Sequence, residues 1–469
     1  QARRSFLRDC AGGLGMIGLG SLLALEGRTA DSQRSDPTSP TPAHFPGKAK
    51  NIIFLFMAGA PSQLDLFDPK PELQKWHGQP LPPSMTTGLK LAFIKPTAAI
   101  MASPRTFSRH GQSGMEISDW LPHTATCADD LCLLRSVYTE AFNHHPGQCM
   151  LMSGAPLAGR PTIGSWVTYG LGSESRNLPG FVVLTSGAGF SAGALNWSSG
   201  WLPSTFSGVP FRSTGDPILY LSDPKGISAQ TQRAGLDALR QLNEIHYQDT
   251  ANSEILSRMA AYELAFRMQS SGPELLDLSQ EPSRVLEMYG VNREITRPFG
   301  ANCLLARRMV ERGVRYVMLI HSTWDDHADL NKNLKKNCEI TDQPAAALLK
   351  DLKQRGLLDS TLVVWGGEFG RTPMTQINKP KEAGSEGRDH HPNCFSMWMA
   401  GGGVRGGQVI GRNDELGLNP VEDRVHIHDL HATMLHCLGI DHTRLTYRHA
   451  GRDFRLTDVG GKIVQKALA

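Results

Sequence analysis

The sequence predicts an α/β fold, with a mostly parallel central sheet sandwiched by helices and carrying a helical insertion. Three continuous apolar runs indicate strands that are covered on both faces: Asn51–Met57, 315–320 and 361–365. Two of these runs follow helical patterns that stop at Gly313 and Gly356, the residue type that commonly ends a helix. Helices alternating with buried strands are typical of a parallel sheet.

At the N-terminus, residues 1–30 resemble a twin-arginine export signal. Arg3 and Arg4 are followed by a Gly-rich, moderately apolar stretch at 11–25 that is too short to span a bilayer comfortably. An ordinary N-terminal helix is the alternative, and the many glycines disfavour it. Residues 31–48 are rich in Pro, Ser and Thr and predict a linker to a domain at 49–469. We expect export to the periplasm or cell envelope, with membrane attachment only through a retained leader.

The middle of the chain predicts two irregularities in this pattern. Residues 232–312 contain long helical patterns and few strand signals, which indicates the helical insertion. Residues 185–225 are rich in Gly, Ser and Pro and contain Trp197, Trp201, Phe206 and Phe211. Such a segment often forms a rim over a site, with aromatic side chains that either stack on sugar rings or fix the loop.

Acidic and histidine residues follow each predicted strand. Asp325 and His327 come after the second strand, and they are two residues apart, so an extended backbone would point both toward one cation. The same spacing joins Asp389 to His391. Glu368 and Arg371 follow the third strand, at the edge where open α/β sheets bind ligands.

A mixed set of imidazoles and carboxylates favours Zn, Mn or Fe over Ca or Mg. Two other interpretations compete with metal binding: Glu368 pairs with Arg371, or these residues cap loops and helices. The recurrence of ligand types at several strand ends favours the divalent metal.

Composition excludes some other classes. The 469 residues are 40% hydrophobic and 20% charged, with a net charge of +3 and no basic run, so nothing indicates a nucleic-acid partner. Beyond Cys10 seven cysteines remain, which leaves both a Cys127–Cys132 disulfide and buried free thiols open.

Motifs along the chain resemble known proteins at two levels, a superfamily and a more specific family. Residues 348–370 and 425–440 look like segments of sulfatases and related alkaline-phosphatase superfamily enzymes. More specifically, the chain resembles the exported family called domain of unknown function 1501, through the leader and the motifs SQLDLFDPKP, NHHPGQCMLMSG, GRPTIGSW, WDDH, GGEFGRTP and GRDHHP.

The resemblance implies an alkaline-phosphatase-like core and a ligand set. Glu368 stands where the Asp of an Asp-His-Gly metal motif would be, and Phe369 stands where its His would be. No Cys-x-Pro-x-Arg motif of formylglycine sulfatases occurs, which disfavours a true sulfatase. Ser62 lies near the position of the nucleophile. The implied metal ligands are Asp65, Asp325, His327, Glu368, and His390 or His391, and the spacing to His391 adds Asp389 to this set.

These inferences lead to a functional hypothesis, an exported metal-dependent hydrolase of phosphate or sulfate esters. Its partner would be an anionic ester, such as a sulfated or phosphorylated small molecule or glycan. Arg371 would clamp the anion, and His144 or His145 would add a ligand or a proton donor. The alternative is a non-catalytic cell-envelope or carbohydrate-binding protein that retains the fold.

Overall fold

A nine-stranded sheet organises the part of the chain that the computed structural model describes, residues 36–86, 89, 91–187, 189–212, 227–377 and 384–469. The predicted export signal and residues 31–35 of the linker lie outside these residues. The strands are β1 Asn51–Met57, β2 Phe107–His110, β3 Met115–Ser118, β4 Leu131–Tyr138, β5 Phe181–Ser186, β6 Val209–Phe211, β7 Tyr316–His321, β8 Thr361–Gly366, β9 Gly370–Gln376, β10 Gly387–His391, β11 Phe395–Ala400, β12 Gln408–Ile410, β13 Arg412–Asn413, β14 Pro420–Glu422, β15 Val425–His426, β16 Tyr447–His449 and β17 Arg452–Phe454.

The large sheet has the strand order β12-β4-β11-β8-β1-β7-β5-β6, and β15 pairs with β4. Strand β1 lies between β7 and β8 and is parallel to both, which confirms that the three predicted strands share one sheet. Strand β11 is antiparallel to β8 and β4, so β4 runs in the same direction as β8. The carboxyl ends of β1, β4, β7 and β8 therefore meet at one edge.

Helices cover both faces of this sheet. The α-helices are α1 Gln63–Leu66, α2 Glu72–Trp76, α3 Pro83–Thr86, α4 Pro122–Ala125, α5 His144–Ser153, α6 Ile163–Leu171, α7 Ala229–Thr250, α8 Ser253–Leu276, α9 Ser283–Met288, α10 Arg297–Glu311, α11 Leu330–Gln354 and α12 Ile427–Cys437. Gly313 and Gly356, which follow α10 and α11, have φ angles of 79° and 68°, a backbone conformation that glycine adopts without strain. The predicted fold class, α/β with a mostly parallel sheet between helices, is confirmed.

Successive side chains of β1 point to opposite faces of the sheet and belong to two separate hydrophobic clusters. Ile53, Leu55 and Met57 belong to the cluster that packs against α10 and α11. Ile52, Phe54 and Phe56 belong to the cluster on the opposite face, which contains residues of α5, α6 and α12. Both sets are buried, and this explains why the strand is apolar at every position rather than at alternate ones.

The stretch expected to be helical at 232–312 folds as α7 to α10, and every residue from 229 to 311 is described. The irregular segment expected at 185–225 contains short 3₁₀ turns and β6, and residues 188 and 213–226 of it lie outside the described part. Among the described residues no helix has the length and apolar character of a membrane span. The seven cysteines from Cys127 onward are buried free thiols.

Candidate metal centre

Four side chains from three segments of the chain meet at the carboxyl edge of the sheet. Asp325 and His327 lie in the loop between β7 and α11, and His390 lies in β10. His144 is the first residue of α5, which follows β4. The cluster spans 246 positions of the chain, from His144 to His390, and the sheet brings its members together.

The donor atoms converge on one carboxylate oxygen. Asp325 Oδ1 lies 3.0 Å from His144 Nε2 and 2.9 Å from His327 Nε2. It lies 3.3 Å from His390 Nε2, and the Nε2 atoms of His390 and His327 are 2.9 Å apart. One atom from each of the four residues lies within 4.8 Å of the others. Because Zn–N and Zn–O bonds are about 2.0–2.2 Å, neighbouring ligand atoms around a tetrahedral Zn are separated by roughly 3.3–3.6 Å, and the spacing here is similar.

The Nδ1 atom of each imidazole, which does not face Asp325, has its own hydrogen-bond partner. His390 Nδ1 lies 2.7 Å from the carbonyl oxygen of Phe142, which can only accept a hydrogen bond. His144 Nδ1 lies 2.7 Å from Glu368 Oε1, and His327 Nδ1 lies 2.6 Å from Gln376 Oε1. Hydrogens on the three Nδ1 atoms leave the Nε2 lone pairs directed at Asp325 and at one another. Metal-bound histidines are oriented in this way.

Charge in the cluster favours a cation. Burial alone would raise the pKa of Asp325, but His144, His327, His390 and the Arg371 guanidinium hold it well below its usual range. Burial would lower the pKa of His144, but its hydrogen bonds to the Asp325 and Glu368 carboxylates raise it to about 9. Without a metal, His144 therefore carries a second proton, on Nε2, at neutral pH, and a divalent cation would displace that proton.

The cluster is open to solvent on one side. The Asp325 side chain is 43% exposed, whereas that of His390 is 2% exposed. A cleft of about 260 Å³ is lined by Asp325 and His144 together with Ala58, Gly59, Gln148, Gly189, Phe190, Ser191 and Thr323. The donor set and its spacing fit a Zn, Mn or Fe ion, and the cleft leaves room for a further ligand beside it.

Glu368, predicted as a ligand, lies behind His144 rather than in the group of four. Its buried carboxylate accepts from Gly59 N at 3.1 and 3.2 Å and from Gln148 Nε2 at 3.1 Å, in addition to its contact with His144. A Cβ at Gly59, where φ is 110°, would lie 2.6 Å from the backbone nitrogen of Asp325, so only glycine fits there. Glu368 thus orients His144.

Arg371, predicted as an anion clamp, is fully buried and its guanidinium faces the protein. It donates to Asp325 Oδ1 at 2.7 Å and to the carbonyl oxygens of Ala60 and Arg388 at 3.0 and 3.1 Å. Further donor contacts reach the carbonyl oxygens of Gly59 and Trp324. The Arg371 guanidinium thus connects the loops around Asp325 through hydrogen bonds, and it is not among the groups that line the cleft.

Asp65 and Ser62 form a separate polar pair. Both are buried, Ser62 Oγ donates to Asp65 Oδ2, and Arg388 Nε donates to the same oxygen at 2.9 Å. A guanidinium has no lone pair to offer a metal. Asp65 is not among the four residues whose donor atoms lie together, and Ser62 is buried against it rather than open to a cleft.

Asp389 and His391 do not share a cation, because a bulge between Arg388 and His390 interrupts the alternation of β10. Asp389 accepts backbone hydrogen bonds from residues 92–94, while His391 Nε2 lies 2.8 Å from the carbonyl oxygen of Leu418. Of the two adjacent histidines, only His390 reaches the cluster.

A similar correction applies to the histidine pair that begins α5. His144 joins the cluster, whereas His145 is exposed and lies outside it. The two could not be distinguished from sequence, since residues 147–153 are all buried and do not define one face of the helix. Phe369, at the position of the superfamily histidine, packs its ring 5.1 Å from that of His144 and 4.6 Å from that of His390.

The fold and the centre describe an α/β protein with a candidate metal site at the carboxyl edge of its sheet. The chain belongs to the family described as Protein of unknown function (DUF1501), whose model matches residues 49–468. No curated protein matches it.

Several solved structures are similar to the chain. The lipoteichoic acid synthase LtaP from Listeria monocytogenes is 10% identical, with 92% of this chain and 80% of that chain covered and a TM-score of 0.38. The PsFucS1 sulfatase from Pseudoalteromonas sp. is 12% identical, with 91% and 70% covered and a TM-score of 0.36. The alkaline phosphatase from the Antarctic bacterium TAB5 is 11% identical, with 84% and 98% covered and a TM-score of 0.31. Similarity at this level says nothing about the activity of the chain.

Proposed function

We propose that the chain is a metal-dependent hydrolase of phosphate- or sulfate-type esters, in which one divalent Zn, Mn or Fe ion is held by His144, Asp325, His327 and His390. One observation supports this above the others. Three imidazoles are anchored through Nδ1 while their Nε2 atoms lie within 3.3 Å of a single carboxylate oxygen. Such a set of lone pairs is electrostatically unfavourable unless protons or a cation lie among them.

The position of the cleft supports hydrolysis. A divalent cation at this centre would polarise an ester oxygen and lower the pKa of a bound water. Glu368 would keep the ring of His144 in place, and Arg371 would hold the Asp325 carboxylate toward the cleft. Because Ser62 is buried against Asp65, we propose water as the nucleophile rather than a serine.

The number of donors favours a second candidate function. Four protein ligands are enough for a closed tetrahedral site, which is typical of a structural Zn. Arg371 is also buried and is not among the residues that line the cleft. In this alternative the ion stabilises a non-catalytic cell-envelope or carbohydrate-binding protein.

Metal content and hydrolysis measured on the same preparations separate the two candidates. The full domain is purified without chelator as wild type, His144→Ala and His145→Ala, and metals are quantified by plasma mass spectrometry. We expect near-stoichiometric metal in the wild type and in His145→Ala, whose side chain is exposed. In His144→Ala we expect most of the metal to be lost, because a ligand is removed.

Hydrolysis of 4-nitrophenyl phosphate, bis(4-nitrophenyl) phosphate and 4-nitrophenyl sulfate is then assayed with Zn, Mn and Fe supplied in turn. The hydrolase proposal requires activity that follows the metal content across the three proteins. Metal-loaded wild type that is no faster than His144→Ala on every ester would favour the binding protein. Metal-free, folded wild type would exclude a metal centre for either candidate.

We further propose export through the twin-arginine pathway to the periplasm or cell envelope. The support is the Arg3-Arg4 pattern and the apolar stretch that follows it. Replacing both arginines with lysine should keep the protein in the cytoplasmic fraction of its host. Unchanged export of that variant would argue against this route.

A further inference from the structure

Phe93 is a large apolar side chain that is exposed beside the candidate metal centre. It is 63% exposed, and its ring stands edge-on to two of the four candidate ligands. The ring centroids are 5.1 Å from that of His327 and 5.4 Å from that of His390, at interplanar angles of 87° and 77°. Its ring therefore offers apolar surface directly beside two candidate ligands.

A buried carboxylate fixes the backbone that carries Phe93. Asp389 Oδ2 accepts hydrogen bonds from the N–H groups of Ala92 and Phe93, each at 2.9 Å, and of Ile94 at 3.3 Å. Asp389 itself is fully buried and directly precedes His390. Bonds between backbone donors and an ionised carboxylate are among the stronger hydrogen bonds. The strand that supplies a candidate ligand therefore also holds Phe93 in place.

A second aromatic ring borders the other side of the cluster. Phe190 lines the cleft into which His144 and Asp325 open, and its ring packs 5.8 Å from that of Trp197. The following backbone is tied to the centre through Gln148, whose Oε1 accepts from Ala192 N at 2.8 Å and whose Nε2 donates to Glu368. Between them, Phe93 and Phe190 border all four candidate ligands.

We propose that Phe93 is a specificity-determining residue that binds an aromatic ring in the alcohol part of the ester. The inference rests on the proposed function for the location of the ester, but it concerns recognition and not the reaction. An aromatic pair contributes about 0.5–1.5 kcal/mol beyond the area that it buries, which corresponds to a preference of several-fold to about tenfold. A substrate ring at this position would also cover the exposed face of Phe93.

The test compares two anions that differ in the ring alone. Binding of phenylphosphonate and of methylphosphonate to Zn-loaded protein is measured by isothermal titration calorimetry, with the Zn content of each variant determined beforehand. We expect the wild type to bind phenylphosphonate about tenfold more tightly. Phe93→Ala should reduce this ratio at least threefold, and Phe93→Tyr, which keeps the ring, should preserve it. Leu157→Ala, which removes another exposed apolar side chain, is the matched control and should also preserve the ratio.

Two results would overturn the inference: a wild type without preference for the phenyl compound, or an unchanged ratio in Phe93→Ala at equal Zn content. If Phe93→Ala loses Zn, Phe93→Leu takes its place and must show the same reduction. Failure of the proposed function gives a different pattern, in which the ratio still depends on Phe93 but no ester is hydrolysed.

Discussion

The candidate metal centre and the Asp65–Arg388 pair lie at the same edge of the sheet and use similar residues, but their electrostatics differ. Asp325 meets three imidazole nitrogens and a partly exposed cleft. Asp65 is fully buried, and although burial would raise its pKa, Arg388 and two serine hydroxyls hold the pKa below its usual value. The Asp65 carboxylate is paired with a guanidinium and serine hydroxyls, whereas the Asp325 carboxylate accepts from a guanidinium and also meets three imidazole nitrogens. The partners of an aspartate, more than its position after a strand, decide whether it can hold a metal.

Removing Asp65 should have the largest effect on stability. Asp65→Ala leaves the Arg388 guanidinium buried without its carboxylate, which costs about 3–5 kcal/mol. Urea denaturation measures the loss, and the exposed pair of Arg448 and Asp453 supplies the control, because Asp453→Ala should cost less than about 1 kcal/mol. The folded variant should keep its metal. Metal loss from a still-folded Asp65→Ala protein would show that the two regions act as one site.

Acid should destabilise the protein through His391, the histidine beside the candidate ligand. Burial lowers its pKa to about 4 in the folded state, against an ordinary value of about 6.5. Between these values the unfolded chain binds the extra proton, so stability is lost as pH falls from about 6.5 to about 4. His391→Gln, whose amide can still donate to Leu418, should lose less stability than the wild type across this window. Identical pH dependence of the two proteins in thermal melts would remove His391 as the cause.

The smallest effect is expected from a residue that touches the centre only through a histidine. Glu368→Gln keeps the size of the side chain but removes the charge that holds the Nδ1 proton of His144. Loss of such a partner typically weakens metal affinity about 10–100-fold. Competition with a fluorescent chelator measures the change, with Glu339→Gln, an exposed glutamate on α11, as control. Complete loss of metal would indicate that Glu368 is a direct ligand. Unchanged metal affinity would indicate that Glu368 has only a structural role.

Much of the fold was predictable from local patterns. Strands β1, β7 and β8 are apolar at successive positions because both of their faces are covered, so each can be recognised without knowing its neighbours. Glycines with positive φ end two of the helices that lead into them. Asp325 and His327 were also predictable as a pair, since two residues in an extended loop point to the same side.

By itself, the sequence determined which elements form, that their carboxyl ends would carry acids and histidines, and the family of the chain. Tertiary structure alone decided which of these residues meet. Adjacent positions such as His144 and His145, or His390 and His391, have the same composition and nearly the same local signals, but a helix start and a β-bulge send them in different directions. Arg371 and Arg388 likewise reach carbonyl groups and carboxylates hundreds of residues away, and only packing defines those partners. Local periodicity is encoded within a few residues, whereas a ligand set is a property of contacts between distant segments.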